Sequence, residues 1–402
     1  MNLFDAALNE RLASIREQGL YRQLRRVDSP QSPRLAIGGR TLLNFSSNDY
    51  LGLADEPSIK EAAIKAVEKF GAGSGASRLI CGSLAPHHEL EEALAAFKGT
   101  EAALTFSSGY NAALGTIGAL AGKDDIIVID KLVHASIVDA ARLCGAKLRV
   151  FAHNDLDDLE RILKWTEKVQ SPMPKFQSRK RVLIVTESVF SMDGDCAPLR
   201  EIMELKNKYG AWLMVDEAHA TGLYGRQRRG MVEELGVSDG IEVQMGTLGK
   251  ALGASGGFIS GSCALIDFLV NRARSFIFST ASVPAAAAAA CEAVRFLQSE
   301  DGEARRQRLW SHVKTFHSLC GRPAPQFPSA IIPFIIGGEN EAVEKAAALL
   351  QQDIYVPAIR YPTVARGRAR LRLTLTAAHK ETELAKLAEA LKGRAETNPL
   401  QM

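Results

Sequence analysis

The chain has 402 residues, of which 46% are hydrophobic and only 6% aromatic, so a large core can form and aliphatic side chains must fill it. Its 49 basic and 46 acidic residues leave a formal charge of +3, too near balance for the electrostatic footprint of a nucleic-acid binder. Six scattered cysteines show neither a CxxC pair nor zinc-ligand spacing, residues 1–5 lack the marks of a secretory signal, and apolar runs such as 284–291 are too short to span a bilayer, so a metal-free cytoplasmic protein is expected.

Leu3, Ala7, Leu8, Leu12, Ile15 and Leu20 recur at helical spacing and predict one amphipathic helix over 3–24. Ser29-Pro30-Gln31-Ser32-Pro33 breaks it, and a hairpin is expected over 34–45 with Gly38-Gly39 as its turn. From about 57 to 260, predicted strands at 101–106, 125–130, 148–152, 181–186, 212–216 and 243–247 alternate with predicted helices at 109–120, 134–143, 156–169 and 199–209. That rhythm is the signature of crossover units on a mostly parallel sheet. The polar, proline-bearing stretch 170–180 reads as a surface loop.

From about 290 the character changes: helix 291–298, apolar strand 331–336, helix 342–351, strand 368–375 and helix 381–391. The expected organisation is an N-terminal helix and strand segment (1–56), a large α/β domain (57–289) and a small C-terminal α+β domain (290–402). Ligands on such sheets bind beyond the carboxyl ends of the strands, so the residues just after each strand are where chemistry is expected.

Two motifs there fail. Gly253-Ala254-Ser255-Gly256-Gly257 matches a nucleophile elbow, but an apolar strand-like run follows where a helix is needed. Gly249-Lys250 resembles the end of a phosphate loop, but Gln244 and Ala251 occupy positions that need Gly and Ser or Thr.

Other residues after strands carry more. Asp216 ends an apolar run, with His219 three residues on. A buried carboxylate there is costly unless a cation meets it. Asp216 is therefore either the partner of a protonated pyridine nitrogen or, more plainly, a helix cap beside a surface histidine. Lys250 sits among glycines that let a planar ring approach the backbone. An imine-forming amine needs a lowered pKa, which desolvation and nearby cations supply. Phe106-Ser107-Ser108-Gly109-Tyr110-Asn111 feeds a helix start whose N–H groups suit a phosphate, with Ser108 and Thr247 as hydroxyl donors. His134 is either a helix-start or core histidine, or a ring stacked on a planar cofactor.

Taken in order, several segments resemble the motifs of fold-type I pyridoxal-5'-phosphate (PLP) enzymes, and within them the α-oxoamine synthases, over about residues 15–392. They are Asn44-Phe45-Ser46-Ser47-Asn48-Asp49-Tyr50-Leu51-Gly52, Gly73-Ser74-Gly75-Ala76-Ser77-Arg78, His134-Ala135-Ser136, Val189-Phe190-Ser191-Met192-Asp193-Gly194-Asp195, Asp216-Glu217-Ala218-His219-Ala220-Thr221-Gly222 and Gly246-Thr247-Leu248-Gly249-Lys250.

The resemblance implies a fold-type I PLP-dependent transferase with Lys250 as the Schiff-base lysine, Asp216 at the pyridine nitrogen, His219 at the ring 3-hydroxyl and His134 stacked on the ring. It places Ser108, Gly109, Tyr110, Ser191 and Thr247 around the cofactor, and Ser279 and Thr280 at the phosphate of the neighbouring subunit of a homodimer. Asn48 and Arg372 match binders of an amino-acid carboxylate, a role that suits the planar fork of arginine.

Segments 46–50 and 358–364 are most similar to family members that join L-alanine to a pimeloyl thioester, on CoA or a carrier protein, in biotin biosynthesis. There the positions matching Arg22 and Thr363 contact substrate, and Arg360 lies in the same segment. Glycine C-acetyltransferases, similar over the same span, usually carry Cys near the position of Gly109 and Ser near that of Glu217, a pattern this chain lacks. A regulatory subunit of the same fold typically lacks the lysine that is present here as Lys250. The implied chemistry makes Lys250 the general base at the amino-acid α-carbon and His134 a donor to the thioester carbonyl.

Overall fold

The computed structural model describes residues 2–169 and 181–392, so the surface loop expected at 170–180 lies outside the described residues. Leu53–Ser191 and Asp195–Arg306 form a larger compact unit; the described parts of Met1–Gly52, Met192–Gly194 and Gln307–Met402 form a smaller one. The change of character read near 290 falls inside one helix, Pro284–Gln298.

The N-terminal helix is Leu3–Glu17, shorter than expected, because Gly19 takes a left-handed φ of +67° just past its end. None of its residues is buried; Leu3 and Phe4 are 92% and 69% exposed. The apolar stripe that predicted the helix is therefore real but uncovered among the described residues. Strands β1 (Arg34–Ile37) and β2 (Arg40–Asn44) form the expected antiparallel hairpin. Gly38 and Gly39 have φ of +57° and +75°, the pair of positive values a two-residue hairpin turn demands.

The larger unit is built on a seven-stranded sheet of β3 (Ala102–Phe106), β4 (Ile126–Asp130), β5 (Lys147–Phe151), β6 (Val182–Glu187), β7 (Trp212–Asp216), β8 (Val243–Thr247) and β9 (Gly257–Gly261). Its order is β3-β9-β8-β7-β6-β4-β5; β9 runs against both neighbours and the other six share one direction. Every residue of β4 and β6 is buried, as expected for central strands covered by helices on both faces. Helices Gly109–Leu120, Ala135–Leu143, Leu156–Val169 and Leu199–Tyr209 follow β3, β4, β5 and β6. The Gly253–Gly257 run is a turn between the antiparallel β8 and β9, which disposes of the nucleophile elbow.

In the smaller unit β10 (Ile331–Gly337), β12 (Ala358–Ile359) and β13 (Ala369–Thr374) make one sheet, while β11 (Ile354–Tyr355) pairs in parallel with β2 of the N-terminal hairpin. That pairing is why the two ends of the chain share a unit.

An ionic cluster fastens the end of β4 to the loop after β6. His153 lies 3.0 Å from Asp130 Oδ1 through Nδ1 and 2.7 Å from Asp195 Oδ2 through Nε2. Burial opposes its charge, but the two carboxylates outweigh burial and raise its pKa to about 10. The folded value exceeds the ordinary 6.5, so the protonated ring stabilises the fold fully below about pH 6.5 and that contribution is lost as pH rises through about 10. The urea midpoint of the protein should fall across that window, and His153→Gln should flatten the fall. A wild-type midpoint that stays level would disprove the assignment.

Candidate active site

Four neighbouring strands end on one edge of the sheet, and each hands over to a segment with a predicted site residue: β4 to His134, β6 to Ser191, β7 to Asp216 and His219, β8 to Thr247 and Lys250.

Asp216 is 4% exposed, and its Oδ1 accepts the N–H of Ala218 at 2.9 Å. Turns rather than a helix follow it, and His219 is buried as well, so the helix-cap reading with a surface histidine fails. Dehydration raises the Asp216 pKa above the usual carboxylate range, opposed by Lys250, the Ala218 N–H and His134. Lys250 is half-buried, with its Nζ 2.8 Å from His219 Nε2. A hydrogen bond there needs one donor and one acceptor, so the two nitrogens cannot both be fully protonated.

His134 caps the helix Ala135–Leu143. Its Nδ1 accepts the N–H of Ser136 at 3.2 Å and lies 2.8 Å from Ser136 Oγ. Lost hydration of the ring, against Asp216 and with Lys250, holds its pKa below the ordinary histidine value, although the residue reaches solvent. A neutral ring with Nδ1 as acceptor carries its proton on Nε2.

At the other end of the site, Ser108 caps the helix Gly109–Leu120 by accepting the Asn111 N–H at 3.1 Å, which leaves its own O–H to donate elsewhere. This helix start lies against β8, since a Cβ at Gly109 would stand 3.6 Å from Thr247 Cβ. Thr247 donates its O–H to Gly256 O at 3.0 Å. Tyr110 is exposed and donates its O–H to Asp139 Oδ2 at 2.7 Å. Two of the glycines near Lys250 are required by packing. A Cβ at Gly253, whose φ is +62°, would lie 2.5 Å from Leu53 C, and one at Gly257 would lie 2.6 Å from Gly109 Cα. Those two admit neighbouring backbone, while a Cβ at Gly249, next to Lys250, would meet nothing closer than Ala254 O at 3.5 Å.

Ser279 is half-buried and Thr280 exposed, beside Phe278, which is 71% exposed. Their segment is anchored at Ser282, whose carbonyl accepts from Ser74 Oγ (2.6 Å) and lies 2.8 Å from Nε2 of the buried His87. The remaining predicted residues belong to the smaller unit. Arg372 is buried on β13 and donates to Thr374 Oγ1 at 2.9 Å, and Asn48 Oδ1 accepts from Tyr50 at 3.3 Å. Arg22 donates to Tyr361 O at 3.2 Å, and Thr363 N–H donates to Arg360 O at 3.0 Å. Burial and the nearby Arg22 lower the Arg360 pKa.

One buried group escaped the sequence reading. Glu187 ends β6 directly beside Asp216, its Cα partner on β7. Its signal was present, a carboxylate closing an apolar run as Asp216 does, but it falls one residue past the predicted strand.

The family model for aminotransferase class I and II matches residues 40–391. The 8-amino-7-oxononanoate synthase of Geobacter sulfurreducens is 46% identical over 383 residues, covering 94% of this chain and 95% of that protein. The 8-amino-7-oxononanoate synthase of Geotalea daltonii is 46% identical over 385 residues, 95% of this chain and 96% of that protein. Among solved structures, a serine palmitoyltransferase variant from S. paucimobilis with a bound PLP–myriocin aldimine superposes with a TM-score of 0.88 at 30% identity, over 98% of each chain.

Proposed function

Because the chain belongs to the aminotransferase class I and II family, we propose that it is a PLP-dependent C-acyltransferase that condenses L-alanine with a pimeloyl thioester and releases CO2, the reaction of an 8-amino-7-oxononanoate synthase. The observation that carries this reading is the pairing of near-full-length relatives of that name with a cluster of Lys250, His219, Asp216 and His134 at the strand ends.

The residues fit the cofactor. The buried Asp216 carboxylate, its pKa raised by dehydration, suits a ring cation that would stabilise its charge. Asp216 would hold the pyridine nitrogen, His219 the 3-hydroxyl, Lys250 the aldehyde carbon and the Ser108–Gly109–Tyr110 helix start the phosphate, with His134 against the ring and Ser191 and Thr247 lining it. When bound, PLP supplies an electron sink for charge at the amino-acid α-carbon.

Everything else falls to the chain. Lys250, half-buried and 2.8 Å from His219 Nε2, takes the α-proton as general base. His134 offers Nε2–H to the thioester carbonyl as negative charge grows on that oxygen. Asn48 and Arg372 hold the amino-acid carboxylate, while Arg22, Arg360 and Thr363 serve the acyl end. The homodimer reading draws support from the apolar side chains left in water beside Ser279 and Thr280, Phe278 above all, and along the N-terminal helix, since a second copy would cover them. A cytoplasmic setting agrees with six unpaired cysteines.

Thiol release by the PLP-loaded protein tests the function. L-alanine with pimeloyl-CoA should outrun glycine with the same thioester by about 10- to 200-fold, the worth of one methyl in a fitted pocket. Faster release from glycine with acetyl-CoA, or from serine with palmitoyl-CoA, would overturn the substrate assignment.

A further inference from the structure

Glu187 has no part in the roles above, yet it stands where three site segments meet. It pairs in register with Asp216 on parallel strands, so the two side chains leave the sheet on the same face. They are 2% and 4% exposed. Glu187 Oε2 accepts the Ser191 N–H at 3.2 Å, and the His134 N–H also acts on the carboxyl. Its Oε1 is buried with no hydrogen-bond partner among the described residues.

Two neighbouring carboxylates withdrawn from water cannot both ionise cheaply, because the second charge meets dehydration and the first charge together. Those two causes, dehydration the larger, push Glu187 up to about 8, against Lys250 and the two N–H groups. An orphaned acceptor is a lost hydrogen bond, whereas an oxygen that carries a proton can donate it to a neighbouring carboxylate.

We propose that Glu187 is a positioning residue carried as the neutral acid: it ties the His134 and Ser191 segments to the end of β6 beside Asp216 and leaves Asp216 as the one negative charge presented to the ring nitrogen. The proposal rests on the reading that Asp216 meets that nitrogen. Glutamine keeps the size and neutrality of the acid; alanine keeps neither.

Infrared difference spectra between the PLP-loaded protein and its Glu187→Gln variant at neutral pH report the proton directly. The expected result is loss of the C=O stretch of a protonated carboxylic acid; loss of carboxylate bands instead overturns the proposal. The same spectra of the cofactor-free proteins should show the same loss, so this readout stands even if the ring nitrogen meets another residue. PLP affinity, followed by Lys250-dependent visible absorbance, should stay within about threefold in Glu187→Gln and fall about tenfold or more in Glu187→Ala. The pH profile of that absorbance should move in the alanine variant alone. Equal loss in both variants overturns the neutral acid, whereas wild-type protein without Lys250-dependent absorbance overturns the cofactor reading on which the role toward the ring nitrogen rests and leaves the infrared result to decide the proton. Should the alanine variant fail to fold, the glutamine spectra still decide.

Discussion

Lys250→Ala should erase the visible absorbance of the PLP-loaded protein and cut thiol release by about a thousandfold or more. General-base catalysis alone is worth roughly 10²–10⁴, and the lysine is also the proposed covalent anchor. Lys250 Nζ is 2.8 Å from His219 Nε2, and its charge acts on Asp216, Glu187 and His134 together. Removing it takes from the two buried carboxyls the lysine charge that acts on both. Lys250→Arg makes the control: it restores the charge but not the nucleophile, so cofactor retention should recover in part while absorbance and turnover stay lost. An alanine variant with an unchanged spectrum would sink the assignment of this lysine.

The second large effect concerns stability. Lys98 and Glu217 have fully buried side chains that form an ion pair. Lys98 Nζ also donates to Arg229 O at 2.5 Å, and Glu217 Oε1 accepts the Val232 N–H at 2.8 Å. The carboxylate lies against Gly230, whose φ of +133° leaves no place for a side chain. Lys98→Met should therefore strand a buried charge that cannot relax toward water, at about 3–5 kcal/mol. Chemical denaturation would show it as a drop in midpoint at constant slope. Replacing both partners, Lys98→Met with Glu217→Leu, should restore most of the loss, since the cost is one of isolation. A single variant as stable as the wild type would mean that Glu217 finds another partner or a proton.

The parallel core was legible because its strands are buried on both sides and read as unbroken apolar runs; β4, β6 and β7 fall within a residue or two of their predicted bounds. Helix Glu300–Leu319 was missed: it opens on Glu300-Asp301-Gly302-Glu303 and offers no apolar stripe until late in its length. The N-terminal helix was overextended because spacing alone counts Leu20, whereas Gly19 ends the helix before it. In the site, Asp216, His219 and Lys250 stood out by type and position. Glu187 did not, because its meaning depends on which strand lies alongside β6, and strand order is not written in local pattern. Thr247 illustrates the same limit: nothing in Gly246-Thr247-Leu248 says that its hydroxyl is already given to Gly256 O.

Strand β3 occupies one edge of the large sheet and pairs with β9 alone. Its partner lies about 150 residues downstream, from Phe106 to Gly257, so on the ribosome β3 waits for most of the larger unit to emerge. At the usual 5–20 residues per second that wait is roughly 8–30 s. Throughout it, an apolar strand and the helix start proposed for the cofactor phosphate remain unseated. The proposed phosphate seat therefore takes its place in the sheet only after β9 has arrived, late in synthesis.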